Sequence, residues 1–230
     1  MMFSLKLVHK DLEHQINLSP GKGCLWIIES PEYFMEYIQD LYKAIIAGEE
    51  SSFVLSLKEK EKELSLFKSA EIITDPFFID LNDRRIQKKL YSELEKIACG
   101  EILYTQTQNI LSSLQEYFFQ IEEESEYCLE TDLNIDIVSV MKASGIRLAV
   151  FGDTFLEKLI QYIKIMAGLL EKKLIIFINL CSYLNKSQLS QVLETAEYNE
   201  IALLLIENYQ KDFPDSLSCY IIDKDGCEIY

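Results

Sequence analysis

Between residues 122 and 136 the chain gathers seven carboxylates, Glu122, Glu123, Glu124, Glu126, Glu130, Asp132 and Asp136, with no basic residue among them. Carboxylates gathered without counter-charges repel one another, and a hard divalent cation with oxygen ligands can offset that repulsion. Calcium tolerates the irregular geometry of a helix end running into a loop, whereas magnesium demands near-octahedral order. The spacing is not that of an EF-hand, and the central glycine of that loop is absent. Two other readings stand beside a calcium site: a solvated acidic surface at a helix end, and the carboxylate set of a divalent-metal-dependent nuclease or phosphotransferase.

A second cluster has the opposite sign. Arg84, Arg85, Lys88 and Lys89 lie close together, with Lys96 further along. On a helix, positions 85, 88 and 89 share a side and could meet phosphate oxygens along a duplex. The plainer alternative is a solvated face laced by salt bridges. Pro20-Gly21-Lys22-Gly23 is not a phosphate loop, because its glycines precede a strand, where that motif runs from a strand into a helix, and Cys24 follows them. No nucleophile arrangement of the GxSxG or HExxH kind occurs, and His9 and His14 are remote from all six cysteines. Asp153 follows an apolar run, where α/β proteins place functional residues, but it can equally assist Thr154 at a helix start.

Composition narrows the classes. The chain has 230 residues, 22 Lys and Arg against 38 Asp and Glu, and a formal charge of -16. So acidic a balance argues against general adhesion to nucleic acid or anionic membrane, though assembly could still create a local basic surface. No two cysteines are spaced as CxxC, and Cys24, Cys181 and Cys219 sit in or beside apolar runs, as small buried thiols do in a reducing compartment. With neither a signal-peptide pattern nor a run of membrane-spanning length, a soluble cytoplasmic protein is expected.

The elements that must position these residues follow from periodicity. The segment 147–207 reads as strand, helix, strand, helix, strand, with apolar runs RLAVF, KLIIFINL and IALLLIE that do not alternate with polar residues. Strands covered on both faces in this way belong to a parallel sheet. Thr154 with Glu157, and Asn185 with Gln188, are capping boxes ahead of the two helices. Earlier, CLWIIE is another buried strand, and Ser30-Pro31-Glu32 opens a helix that Gly48 can end. Residues 53–57 form a further short strand, and the charged stretch 58–68 an exposed connection or hairpin. Residues 70–74 and 77–81 are β-compatible but interrupted by Pro76. Helical spacing then dominates 82–124, with a third helix at 135–143, and a terminal hairpin turns at residues 223–226. The expected fold is α/β, mostly parallel sheet flanked by helices, with the core at 1–57 and 146–230, an inserted α-helical domain at 58–145 and a C-terminal β-hairpin.

The order of these parts resembles the ring-forming CRISPR-associated adaptation family specific to type II-A systems. The resemblance rests on GCLWIIES, the inserted helical lobe, SGIRLAVFGDTFLEKLIQYIKI, EKKLIIFINLCSYLNKSQL, IALLLIEN and YQKDFP in that order. It implies an architecture like nucleotide-binding α/β domains without the phosphate loop, and no catalytic activity. It further implies a calcium-binding homotetrameric ring that holds double-stranded DNA by its ends, acting with the integration proteins and the type II effector nuclease in spacer acquisition. By this resemblance the patch containing Glu122, Glu123, Glu126, Glu130, Asp132 and Asp136 is the calcium region, although no motif fixes which acids coordinate. Arg84, Arg85, Lys88, Lys89 and Lys96 are the physical choice for DNA contacts. A protein-interaction scaffold with no nucleic-acid role is the remaining alternative.

Overall fold

The computed structural model describes residues 3–59, 62–130, 134–209 and 217–229. From the amino end, strands β1 (Leu5–His9) and β2 (Ile16–Leu18) precede β3 (Cys24–Ile28) and helix α1 (Pro31–Tyr42). Next come the hairpin β4 (Phe53–Leu57) and β5 (Lys62–Leu64), one helical turn α2 (Leu66–Ser69) and strand β6 (Ala70–Ile73). Helices α3 (Arg84–Ala98), α4 (Tyr104–Glu124) and α5 (Ile137–Ala143) follow. The chain then alternates through α6 (Phe155–Gly168), β7 (Leu174–Ile178), α7 (Lys186–Tyr198) and β8 (Ala202–Glu207), and ends in the hairpin β9 (Ser218–Ile222) and β10 (Glu228–Ile229). Two compact units result, Met1–Leu81 with Val150–Tyr230, and Asn82–Ala149.

The first unit is α/β, as the unbroken apolar strands require. Its main sheet has the order β10-β9-β3-β8-β7-β6, parallel throughout except for the antiparallel β10. Every residue of β3, β7 and β8 is buried, so both faces of the sheet are covered. Alternate residues divide between the faces. Trp26, Ile28, Ile176, Leu204 and Ile206 join Tyr37 and Leu41 of α1 and Leu5, Leu7, Phe53 and Leu55 of a second, antiparallel sheet in one core. That second sheet, in the order β2-β1-β4-β5, is an addition to the expected mostly parallel architecture. The two amphipathic helices α6 and α7 pack on each other and bury Leu159, Ile163, Met166, Leu189 and Val192.

Local chemistry fixes the helix ends. Both expected capping boxes form: Thr154 Oγ1 accepts from Glu157 N at 3.2 Å and Asn185 Oδ1 from Gln188 N at 3.0 Å, each reciprocated by the Glu or Gln side chain. Ser30 stands at the N-cap of α1 without a side-chain bond, and Pro31 occupies the first turn. After α1 a π-helical turn, Lys43–Ala47, ends on Gly48 in the left-handed region at φ 69°. Pro20-Gly21-Lys22-Gly23 makes a turn ahead of β3, with Lys22 N donating to Ser19 O at 3.2 Å.

Three sequence expectations are corrected. Residues 147–151 are not a strand, and Val150 and Phe151 are exposed. The place beside β7 is taken by β6, whose Ala70–Ile73 pair with residues 174–177. Leu148 instead satisfies its backbone on the Asn82 amide, donating to Oδ1 at 2.9 Å and accepting from Nδ2 at 3.1 Å. Asp153 therefore follows a loop and simply precedes the cap of α6. Residues 77–81 contain no strand, because Asp75 accepts from Phe77 N and starts a 3-10 turn at Pro76–Phe78. Cys219 is exposed, since its side of β9 is left uncovered, whereas Cys24 and Cys181 are buried. The loop expected at residues 212–214 lies outside the described residues.

A buried ion pair secures the β6 edge. Lys172 Nζ stands 3.6 Å from Glu71 Oε2 and donates to the carbonyls of Phe67 and Ala70 at 3.0 and 2.6 Å. Tyr162 of α6 donates to Glu71 Oε1 at 3.1 Å. Removing one member of such a pair leaves a buried charge without its counter-ion, at a cost of about 3–5 kcal/mol. In urea denaturation we expect Lys172→Met to lose stability of that order, and Lys172→Met with Glu71→Leu to recover at least half of the loss.

Candidate nucleic-acid interface

The basic cluster lies on α3, which belongs to the helical unit. Asp83 caps this helix, its Oδ1 accepting from Arg85 N at 2.7 Å and Ile86 N at 2.9 Å. Ile86 and Ala98 are buried, and α3 packs against α5. Tyr91 donates to Ile146 O at 2.8 Å, while Lys142 Nζ sits 5.7 Å from the Tyr91 ring centre. At the far end Thr107 donates to Ala98 O at 2.7 Å, satisfying a carbonyl that the helix leaves open. These contacts fix the face that α3 turns inward and so the one it turns out.

On the outer side the five expected cations are not equivalent. Arg85 pairs with Asp83 at 3.1 Å, and Lys89 and Lys96 both approach Glu93 Oε1, at 3.5 and 2.9 Å. The Lys96 hydrogen bond is the first cause holding the Glu93 carboxyl below its ordinary value. Arg84 and Lys88 are exposed, one helical turn apart, and form no ion pair among the described residues. Arg84 and Arg85 also sit in the first turn, where free backbone amides already carry positive partial charge. Two cations there are unfavourable for the helix itself and favourable for an external anion.

The carboxylates are distributed differently from the expectation of one patch. Glu122, Glu123 and Glu124 end α4, Glu126 and Glu130 lie exposed in the segment after it, and Asp132 lies outside the described residues. Asp136 is the N-cap of α5: Oδ1 accepts from Ser139 N at 2.8 Å, and Oδ2 accepts from Ser139 Oγ. Among the described residues no three of His, Cys, Asp or Glu lie close enough to hold a metal ion. The donors have the right chemistry for calcium, but within one chain the described ones do not converge.

Sequence reading also missed the state of α4. Helical spacing gives α4 an apolar face, yet only Thr107 of this helix is buried, and Ile110, Tyr117, Phe118, Phe119 and Ile121 are exposed. Periodicity reveals an apolar face but not whether the same chain covers it.

Taken together, the fold defines an α/β protein with an inserted helical unit, in which β3 runs through Ser30 directly into α1 with no glycine cradle for phosphate. The sequence model of the family described as CRISPR-associated protein (Cas_Csn2) matches residues 47–226. The chain belongs to this CRISPR-associated Csn2 family of type II-A systems. It is 28% identical over 165 residues to the CRISPR-associated protein Csn2 of Enterococcus faecalis, covering 64% of this chain and 71% of that one. With the Csn2 protein of Streptococcus agalactiae it shares 26% over 176 residues, covering 73% and 74%. The crystal structure of Stu0660 of Streptococcus thermophilus shares the fold at a TM-score of 0.55 and 13% identity, over 96% of this chain and 75% of that one. Among the described residues no helix is long and apolar enough to cross a membrane.

The Asp136 cap makes a pH prediction. Its hydrogen bonds to Ser139, side chain first and backbone second, hold the carboxyl below its ordinary value. A depressed folded-state value means that the cap stabilises fully above the unfolded-state value and is lost as pH falls through the folded one. Asp136→Ala should speed amide exchange in α5 at neutral pH, while Asp136→Asn, which still caps, should preserve most of the protection. The difference between wild type and Asp136→Ala should close as pH is lowered through the aspartate range.

Proposed function

We propose that this protein is a non-catalytic, sequence-independent binder of double-stranded DNA ends that works as a homotetrameric ring during spacer acquisition. The observation that carries this reading is a combination within the helical unit. A helix presents two open cations, Arg84 in its anion-attracting first turn and Lys88 one turn on, and the neighbouring helix in sequence exposes a run of large apolar side chains. Exposed apolar side chains gathered on one helix mark a surface that another polypeptide covers, and repetition of one basic row around a closed ring would concentrate positive charge that a single chain of net charge -16 lacks. Lysines and arginines reaching backbone phosphates position a duplex without reading its sequence. The integration proteins and the type II effector nuclease are the partners this role implies.

Calcium enters the proposal as an ion of the assembly. Its hard oxygen donors are present, but the described donors of one chain do not converge, so no part of DNA binding is derived through the ion. The nuclease reading has no convergent acid set in its support among the described residues.

Light scattering with and without calcium, with a duplex added to the same series, tests assembly and ligand together. We expect a mass four times that of the chain, shifted downward by chelation, and DNA affinity that falls steeply with salt and is indifferent to sequence. Arg84→Ala with Lys88→Ala should weaken binding uniformly across sequences and reduce the slope of log affinity against log salt by roughly two contacts' worth. A monomer at all concentrations, or cleavage of the duplex with magnesium or manganese, would overturn the proposal.

A further inference from the structure

In the α/β unit, three elements remote in sequence enclose a cavity of about 270 Å³. Asp11 and Leu12 come from the β1–β2 turn, Tyr33, Glu36 and Tyr37 from α1, and Ile222, Gly226 and Glu228 from the terminal hairpin. Its inner wall is built and buried. The Glu228 side chain is only 8% exposed, and its carboxylate accepts from the backbone of Glu13 at 2.7 Å and of His14 at 3.2 Å and meets the His14 ring Nδ1 at 3.3 Å. Tyr37 is 5% exposed, packed against His9, Trp26 and Phe53, and its hydroxyl makes no hydrogen bond among the described residues. Burial, followed by the nearby carboxylates of Asp11, Glu36 and Glu228, pushes the phenol up to about 12. The outer rim consists of Asp11, Glu36 and the Tyr33 ring. Tyr33 stacks 6.2 Å from Tyr37 at an interplanar angle of 21°, and is backed by Gly226, where a Cβ would stand 3.0 Å from the ring.

An unpartnered phenol at the back, three carboxylates and an aromatic face describe a receptor for a cation. The carboxylates are too widely spread for a metal ion: no three metal-type ligands converge among the described residues. A planar organic cation matches the spacing better, since a guanidinium can engage several acceptors at once while lying on an aromatic ring. Leu12 and Ile222 supply apolar wall for attached methylenes.

We propose that this cavity binds an alkylguanidinium group, whose N–H donors are accepted by Asp11, Glu36, Glu228 and the Tyr37 hydroxyl and whose plane rests on Tyr33. The same chemistry is offered by a small free guanidine and by an arginine side chain on a partner protein. Calorimetric titration of the full chain with n-butylguanidine and with N-acetyl-arginine amide, which carry equal charge, separates these sources, with n-butylamine as the ammonium control. One saturable site per chain is expected. Tighter binding of n-butylguanidine identifies a free guanidine as the ligand, and tighter binding of the amide identifies a protein-borne arginine. Asp11→Asn with Glu36→Gln, and separately Tyr37→Phe, should each weaken that site by about tenfold, equivalent to about 1.4 kcal/mol. Glu194→Gln, which removes an exposed charge on α7, should leave it unchanged, and thermal melting confirms that each variant is folded. Absence of saturable binding overturns the proposal. So does affinity indifferent to the Asp11 and Glu36 substitutions, or affinity equal for n-butylammonium.

Discussion

Exclusion of water from both faces of β3, β7 and β8 is the constraint on which the α/β unit depends. These strands carry no polar side that solvent could face, so the sheet is stable only when each face meets another layer. On one side the layer is mixed, α1 with the antiparallel sheet, and its contact is made by Trp26, Tyr37, Phe53 and their aliphatic neighbours. The few buried charges respect the same condition. Glu71 and Lys172 are admitted with each other, with Tyr162 and with backbone carbonyls, and Glu207 accepts from Cys181 N at 2.9 Å.

The helical unit obeys a different balance. Among its described residues it has no sheet to bury, its longest helix is mostly exposed, and its charges are sorted along the sequence, cations on α3 and carboxylates at and beyond the end of α4. Sorting of this kind contributes little to the stability of a single chain, because exposed ion pairs are weak and like charges in sequence repel. Surface features that cost the single chain something are the ones on which the proposed assembly rests.

Much of this was legible in the sequence because the signals were local. Capping boxes at Thr154 and Asn185, the Ser30-Pro31 helix start, the Gly48 stop and the unbroken apolar runs of β3, β7 and β8 each declare themselves within a few residues. What was not legible depended on competition between distant segments. RLAVF has strand composition, but β6 pairs with β7 and the Asn82 side chain takes the backbone groups of Leu148. Asp136 groups with its acidic neighbours by sequence alone, and only the structure shows that the serine three residues later also engages it as a helix cap. The open pair Arg84 and Lys88 could not be told from paired Arg85, Lys89 and Lys96 until rotamers placed Asp83 and Glu93. The cavity around Tyr37 had no pattern to find, since Asp11 and Glu228 come from opposite ends of the chain.

The position of β3 governs how the chain reaches this structure as it leaves the ribosome. It is made well before its two sheet neighbours, since Cys24 pairs with Leu204 of β8 and Ser218 of β9. Until those emerge, the strand holding Trp26 has apolar faces and unpaired amides but no ladder to join. Topologies dominated by such distant pairings fold slowly and expose adhesive edges while they wait. The β1–β2 hairpin and α1 can shelter one side of β3 during that interval, and registration of the sheet waits for β8 and β9.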